Sequence, residues 1–272
     1  IKMITNEDGA FYGRIGVPKP TLSPDERQKR RMSFRNERNL YHRKCDLCGK
    51  QIISIYHSTS AYTVYCNACW WSDKWDPKSY GRDFDFNRSF FEQFAELQLK
   101  VPRLALFQKN NENCDYTNHT ENNKNCYICI DTAGSENVYY SKWMIDCENC
   151  CDCYNIEKCH LCYESQYAVG LYNSKYIFYG DYNLDSAFLY NCNNCANCFM
   201  CSDLNRKKYF IYNKEVGKEG YEKFMQSVDL GSHEKSKKYF DEYVEMIKKS
   251  KKRPLITSSE NCTGDCIYEC KN

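Results

Sequence analysis

Four cysteines in this chain have the types and spacing to do chemistry: Cys45-x2-Cys48 and Cys66-x2-Cys69, with seventeen residues between the pairs. This is the spacing of two metal-binding knuckles. Four thiolates complete a tetrahedral Zn2+ and leave no open position, so the implied site holds one structural ion and does no catalysis. Four free core thiols are the alternative. Gly49, directly after the first pair, suits the tight turn that aims backbone N–H groups at sulfur. Zinc binding of this kind is worth on the order of 10–16 kcal/mol, so a small module built on it needs it to fold. His42 lies beside the first pair and is not needed to complete four ligands.

The elements that must position these sulfurs can be read from the flanking residues. Between the pairs, "QIISIY" and "AYTVY" read as two strands of a hairpin, which makes a zinc ribbon. Upstream, "SPDERQKRRMSFRNERNLYHRKC" opens like a helix, with Ser23 as cap, Pro24 in the first turn and Glu26 completing a capping box. Arg27, Arg31, Arg35 and Arg38 then fall at spacings of four, four and three, and therefore make one ridge. Like charges so placed repel unless anions neutralise them, and phosphate matches the guanidinium fork. Arg30, Arg43 and Lys44 extend this basic surface. Trp70, Trp71 and Trp75 either pack the ribbon against its neighbour or stack on unpaired bases. Phe90, Phe91, Phe94 and Leu97 mark the buried stripe of a short helix that Ser89 and Glu92 begin and Pro102 ends.

Composition sets the frame. The chain has 272 residues, 20 Cys and 24 Tyr, with few Gly and Pro. That length suits about two domains. No run of apolar residues is long enough to span a membrane. Residues 1–50 hold twelve Lys and Arg against six Asp and Glu, while the rest of the chain is net acidic. This asymmetry points to a polyanion partner for the first segment, or to a solvated charged face. Metal-ligand spacing in the first four cysteines favours a reducing, cytoplasmic setting over disulfides.

Past residue 112 the chain repeats itself. "KYIFYGDYNLD", "SAFLYNCNNCA" and "NCFMCSDLNRK" follow one another at eleven residues, which would make Tyr176, Ala187, Cys198 and Tyr209 equivalent. "SKWMIDCENCCDCYNI" and "SAFLYNCNNCANCFMC", forty-five residues apart, agree at five of sixteen positions. Two elevens predict a short parallel β-helix of about four coils, each about 22 residues long. Asn-rich corners suit amide ladders. In such an interior, cysteine acts as a small apolar residue, with additional metal or disulfides as alternatives. Cys126/Cys129 and Cys198/Cys201 would face opposite sides of straight strands. Asp131, Asp181 and Asp203 follow strands, and the last two would be vertical neighbours on a 22-residue coil. Residues 214–250 read as helical, with Tyr239, Phe240, Tyr243, Val244 and Ile247 on one face.

The expected organisation is an extended arm at 1–22 and a basic helix, ribbon and aromatic linker at 23–112. A cysteine-rich β-helix follows at 113–213, then a helical cap at 214–255 and the start of a further repeat at 256–272. The fold class is mainly β.

The segments "RRMSFRNERNLYHRKCDLCGKQIISIY" and "WWSDKWDPKSYGRDFDFNRSFFEQF", with the "NCYIC" and "NCNNCANCF" repeats, resemble uncharacterised proteins of uncultured candidate-phylum bacteria. The resemblance covers nearly the whole chain and implies a zinc ribbon joined to cysteine-rich repeats, with no activity attached. Those proteins tend to carry Cys-Pro-x-Cys where this chain has Ser23-Pro24-Asp25-Glu26, so a second upstream zinc site is not expected.

Three functions remain in play. The first is a non-catalytic, zinc-dependent protein that binds RNA or a ribonucleoprotein such as the ribosome through Arg27, Arg30, Arg31, Arg35, Arg38, Arg43 and Lys44. The second is a structural solenoid that binds a protein partner. The third is a β-helix enzyme acting on a polysaccharide through its Asp column, although no nucleophile–base pair or open metal site accompanies it.

Overall fold

The computed structural model describes residues 6–33, 36, 38–250, 256–257, 259–262 and 267–271. The chain divides into two compact units. One comprises the residues up to Lys109 together with Tyr116–His119, the other Asn110–Asp115 and the residues from Thr120 onward.

In the first unit, Asn6–Arg14 form helix α1, where the sequence suggests an extended arm. Pro24–Met32 form α2 with the expected capping box. Ser23 Oγ accepts from Glu26 N at 3.3 Å, and Ser23 N donates to Glu26 Oε2 at 2.9 Å. Two amides at the helix start are thereby satisfied. Both expected strand segments are strands, Gln51–Ser54 and Val64–Tyr65, but they do not pair with each other. Tyr41–Lys44 pair antiparallel with Gln51–Ser54, so the hairpin wraps the first cysteine pair and does not lie between the two pairs. Val64–Tyr65 run parallel to Arg103–Leu104. The hairpin forms there because its turn closes on itself: Cys45 N donates to Lys50 O and Gly49 N to Cys45 O, both at 2.9 Å.

Asn67–Trp70 form the short helix α3, and Phe90–Lys100 form α4, capped by Ser89 and ending before Pro102. The expected apolar stripe of α4 does not face inward. Phe90, Phe91 and Phe94 are 57%, 79% and 43% exposed, whereas Gln93 is buried. The Gln93 amide explains the rotation: Oε1 accepts from Asp85 N and Nε2 donates to Asp85 O, each at 2.9 Å. This docks the preceding loop on the polar face of the helix and turns the rings outward.

The second unit is a solenoid of stacked parallel strands. Tyr154 lies opposite Gln166, Leu189 opposite Cys201 and Ala196 opposite Lys208, each pair twelve residues apart. The chain makes about nine turns of about twelve residues. This overturns the expected coil of about 22 residues and its four turns. The cause is in the backbone. From Asn110 through Tyr212 every third residue has φ between 44° and 65°. Each such left-handed residue turns the chain, and four turns close a coil. An L-residue held there costs roughly 1–2 kcal/mol, least for Asn and Asp, which recur at these corners. Tyr176, Phe188 and Trp143 also occupy corners, and their bulk hides the period in the sequence.

One residue in three faces inward. Cys126, Cys129, Thr132, Ser135, Val138 and Ser141 follow one another inside the coil, all buried. The corner between Cys126 and Cys129 puts both inside, contrary to the straight-strand expectation. The strand ladders use the N–H of the two outward residues of each triplet, as in Asn125 N to Glu112 O and Glu112 N to Asn123 O. Where the inward side chain is polar or a thiol, it meets the N–H of the inward residue one coil later. Ser135 Oγ accepts from Cys147 N at 3.1 Å and Asn183 Oδ1 from Cys195 N at 3.0 Å. Cys159 Sγ accepts from Leu171 N at 3.3 Å. The thiols also donate, as Cys129 Sγ does to Val138 O at 3.1 Å. Burial pushes the Cys201 thiol up to about 11, which keeps it protonated and able to donate. Much of the interior is therefore built from small side chains with a lone pair and a hydrogen, Cys, Ser, Thr and Asn, beside aliphatic residues such as Val138, Met144, Ile156, Ile177 and Leu189.

Outside, the expected amide ladder runs Asn113 to Asn125 to Asn137 to Asn149, with Nδ2 to Oδ1 distances of 2.8, 3.1 and 3.1 Å. The Asp column does not exist. Asp131 Oδ2 accepts from Trp143 Nε1, Asp181 Oδ1 from Val169 N and Asp203 Oδ1 from Asn191 Nδ2. Twenty-two residues separate Asp181 from Asp203, which is no whole number of coils.

At the inward position Gly180, an added Cβ would lie 2.6 Å from the Cys192 carbonyl oxygen in the next coil. Backbone cannot yield there without opening the ladder. Gly180→Ala is expected to destabilise the solenoid by about 1–3 kcal/mol, read as a lower urea midpoint. An unchanged midpoint would mean that the coils slide past one another.

Gly217–Met225 form α5 and His233–Lys249 form α6. They lie on the outer faces of the last coils, where Phe188, Tyr190, Phe199 and Met200 are buried with Tyr221 and Tyr243. Tyr243 Oη donates to Leu189 O at 2.7 Å. Strand Ala187–Tyr190 is consequently buried at all four residues, against the core on one side and the helices on the other. The edge of the last coil is met by an antiparallel pairing of Lys208–Ile211 with Lys214–Glu215. Further on, Ile256–Thr257 pair in parallel with Ile267–Tyr268. Among the described residues no helix is long and apolar enough to cross a membrane.

Candidate metal centre

Cys45 follows strand Tyr41–Lys44, and Cys48 lies in the turn behind it. Gly49 has φ 74°, the left-handed value that lets the chain reverse. Cys66 is the N-cap of α3 and Cys69 lies within that helix, so one helical turn brings the second pair together. The four Sγ atoms all lie within 4.8 Å of one another. Cys48 Sγ and Cys66 Sγ are 3.9 Å apart. A tetrahedral ion with bonds of ~2.3 Å to sulfur needs edges of about 3.8 Å, so the residues fit a metal ion. Every corner is protein sulfur, which leaves no position for water or substrate. Among the described residues no other group of His, Cys, Asp or Glu converges in this way. The inward-facing solenoid thiols, each engaged with backbone, do not.

Electrostatics prepare the site for a cation. Burial alone would raise the Cys45 thiol, but the N–H groups of Cys66, Cys48 and Leu47 point at its sulfur and hold it down at about 6. Cys66 N lies 3.2 Å from that sulfur. Burial and the neighbouring sulfurs of Cys66, Cys48 and Cys45 push the Cys69 thiol up to about 12. Metal-free, the cluster resists full ionisation, and a divalent ion would relieve that. Trp70 and Trp75 pack on the centre, with Trp75 Nε1 donating to Trp70 O at 2.9 Å. Trp71 is 69% exposed. His42 is exposed in the strand before Cys45 and contributes no ligand.

The basic residues divide into two sets. Arg43 is buried: Nη2 lies 2.9 Å from Asp46 Oδ2, and Nη1 donates to Ser60 Oγ at 3.2 Å. Asp46 Oδ2 also accepts from Val64 N at 2.6 Å. Arg43 thus clamps the first turn to the strand before Cys66, and its assignment as a phosphate contact is corrected. Arg27 is partly buried and donates from Nη1 to Tyr12 Oη at 2.6 Å. Arg30, Arg31, Arg38 and Lys44 are exposed. Arg35 lies outside the described residues.

The continuous Arg27–Arg31–Arg35–Arg38 ridge is also corrected, because α2 ends at Met32. Ser33 Oγ bonds back to Arg30 O at 2.6 Å, and Asn36 Nδ2 donates to Ile55 O at 2.7 Å. Such side-chain bonds compete with helix continuation and anchor the chain to the hairpin instead. Comparison with protein families and with curated proteins returns no match.

Proposed function

We propose that this chain is a non-catalytic RNA-binding protein, of the kind that attaches to a large ribonucleoprotein, with a module folded by one Zn2+. Four cysteine sulfurs are the donor set of structural zinc. The observation that carries the RNA reading is the set Arg30, Arg31, Arg38 and Lys44. All are exposed, and none has an ion-pair partner among the described residues. One or two cations would serve the negative end of the α2 dipole, but unpaired cations that continue past the helix suit a phosphate backbone better. The solenoid serves as a rigid scaffold.

Filter binding of RNA across a salt series tests this. Affinity falls steeply with salt, and Arg30→Gln with Arg31→Gln lowers the log–log slope by about one for each cation removed. Arg206→Gln, exposed on the solenoid, leaves the slope unchanged. Absence of RNA and DNA retention at low salt would refute the reading. A protein-interaction role is the second reading, favoured by the exposed rings of Phe84, Phe86 and Phe91. Isolation from the native cell with one protein and no nucleic acid selects it. The polysaccharide-enzyme reading loses its basis with the Asp column.

A further inference from the structure

Within the first unit a cavity of about 470 Å3 opens among Tyr56, Trp70, Phe94, Leu97, Arg103 and Phe107. Small-molecule sites are typically ~300–1,000 Å3, mostly apolar, with a few polar groups that orient the ligand. Most of this wall is aromatic or aliphatic; Gln98, Asn118 and His119 add polar groups, and Arg103 is its one permanent cation. Its guanidinium lies 4.1 Å from the Tyr62 ring centre and 5.7 Å from that of Tyr56, which fixes the group between two rings. Nη1 reaches only the Tyr56 hydroxyl, at a weak 3.5 Å, and the buried Nε has no acceptor. Among the described residues no carboxylate pairs with it. A permanent cation with one buried, unanswered N–H and no carboxylate partner, beside a largely apolar wall, favours an anion on its Nη groups.

We propose that this cavity binds a small amphipathic monoanion, a medium-chain carboxylate. Its head group would lie on the Arg103 fork and its chain against Phe94, Leu97 and Phe107. Carboxylate geometry matches the guanidinium, and burial of the chain in an apolar wall supplies the remaining affinity. A single permanent cation suits one charge and not a polyphosphate. The proposal goes beyond RNA binding and does not depend on it.

Isothermal titration of the full chain, as purified, with decanoate and with decanol provides the test. Decanoate binds saturably, one per chain, at least about tenfold more tightly than decanol. Arg103→Met keeps an apolar stem against the tyrosines and brings the two affinities together. Leu97→Trp fills the cavity from α4 and abolishes binding of both. Three results would overturn the proposal: equal affinity of the unaltered protein for decanoate and decanol, no saturable binding of decanoate, or undiminished binding after Leu97→Trp. The first comparison needs no variant, so poor folding of Arg103→Met leaves the outcome decided.

Discussion

A strong chelator, by stripping the proposed zinc, is expected to unfold the cysteine module of the first unit. Structural zinc contributes on the order of 10–16 kcal/mol, as much as the whole stability of an ordinary domain. The module has little else to hold it. Its fully buried apolar cluster is Cys45, Tyr65 and Cys69, two of them candidate ligands, with Leu47, Ile52, Trp70 and Trp75 only partly buried against it. Without an ion, four sulfurs within 4.8 Å of one another must stay largely protonated, with Cys69 held up at about 12.

Tryptophan emission reports the event. Trp70 and Trp75 pack over the centre and would shift to the red as they meet water. Cys48→Ser and Cys66→Ser would reproduce the shift without chelator. Elemental analysis should return about one zinc per chain. A chelated protein that keeps both its emission and a cooperative melt would show that the four cysteines only fill space.

The second large effect is in the solenoid. Asn183 is fully buried, with Oδ1 accepting from Cys195 N at 3.0 Å and Nδ2 donating to Cys192 O at 2.7 Å. Asn183→Leu keeps the volume and removes both bonds. Each orphaned backbone group costs about 1–3 kcal/mol, so about 3–5 kcal/mol is expected in total. Cys198→Ser, which retains a lone pair and a hydrogen, should cost far less than Cys198→Val. Urea denaturation distinguishes the three variants. If Asn183→Leu and Cys198→Val are both neutral, the interior amides do not need side-chain partners, and cysteine is present for bulk alone.

The readable parts of the sequence were those in which local chemistry decides. The Cys45/Cys48 and Cys66/Cys69 spacing, the Ser23–Glu26 capping box and the Ser89 start of α4 all depend on neighbours a few residues away, and all are present. The extent of α2 was misjudged because Asn36 bonds to Ile55, nineteen residues on, and no helical periodicity encodes that. Arg43 read as a surface cation for the same reason: its partners Asp46 and Ser60 meet it only once the turn has closed.

The solenoid shows a different failure. The offset of forty-five residues between the two cysteine segments is fifteen triplets, so Ser141, Cys147 and Cys150 match Ser186, Cys192 and Cys195. The match captured the inward phase and missed the coil, because forty-five residues stop a quarter-turn short of four coils. A left-handed corner can carry almost any side chain once the ladder holds it, as Tyr, Trp and Met do here. Asn and Asp recur at the corners, but the bulky residues among them break the pattern, so composition marks the period only in part.

The triplet backbone also dictates how such a chain can change length. Gaining or losing one or two residues would swing every later inward side chain out to solvent and every corner residue into the wall, so such changes should be purged. Three residues preserve the phase but rotate all that follows by one side, displacing the platform under α5 and α6. Twelve residues add a storey and disturb nothing else. Lineages of this protein should therefore differ in steps of a dozen, growing by whole floors.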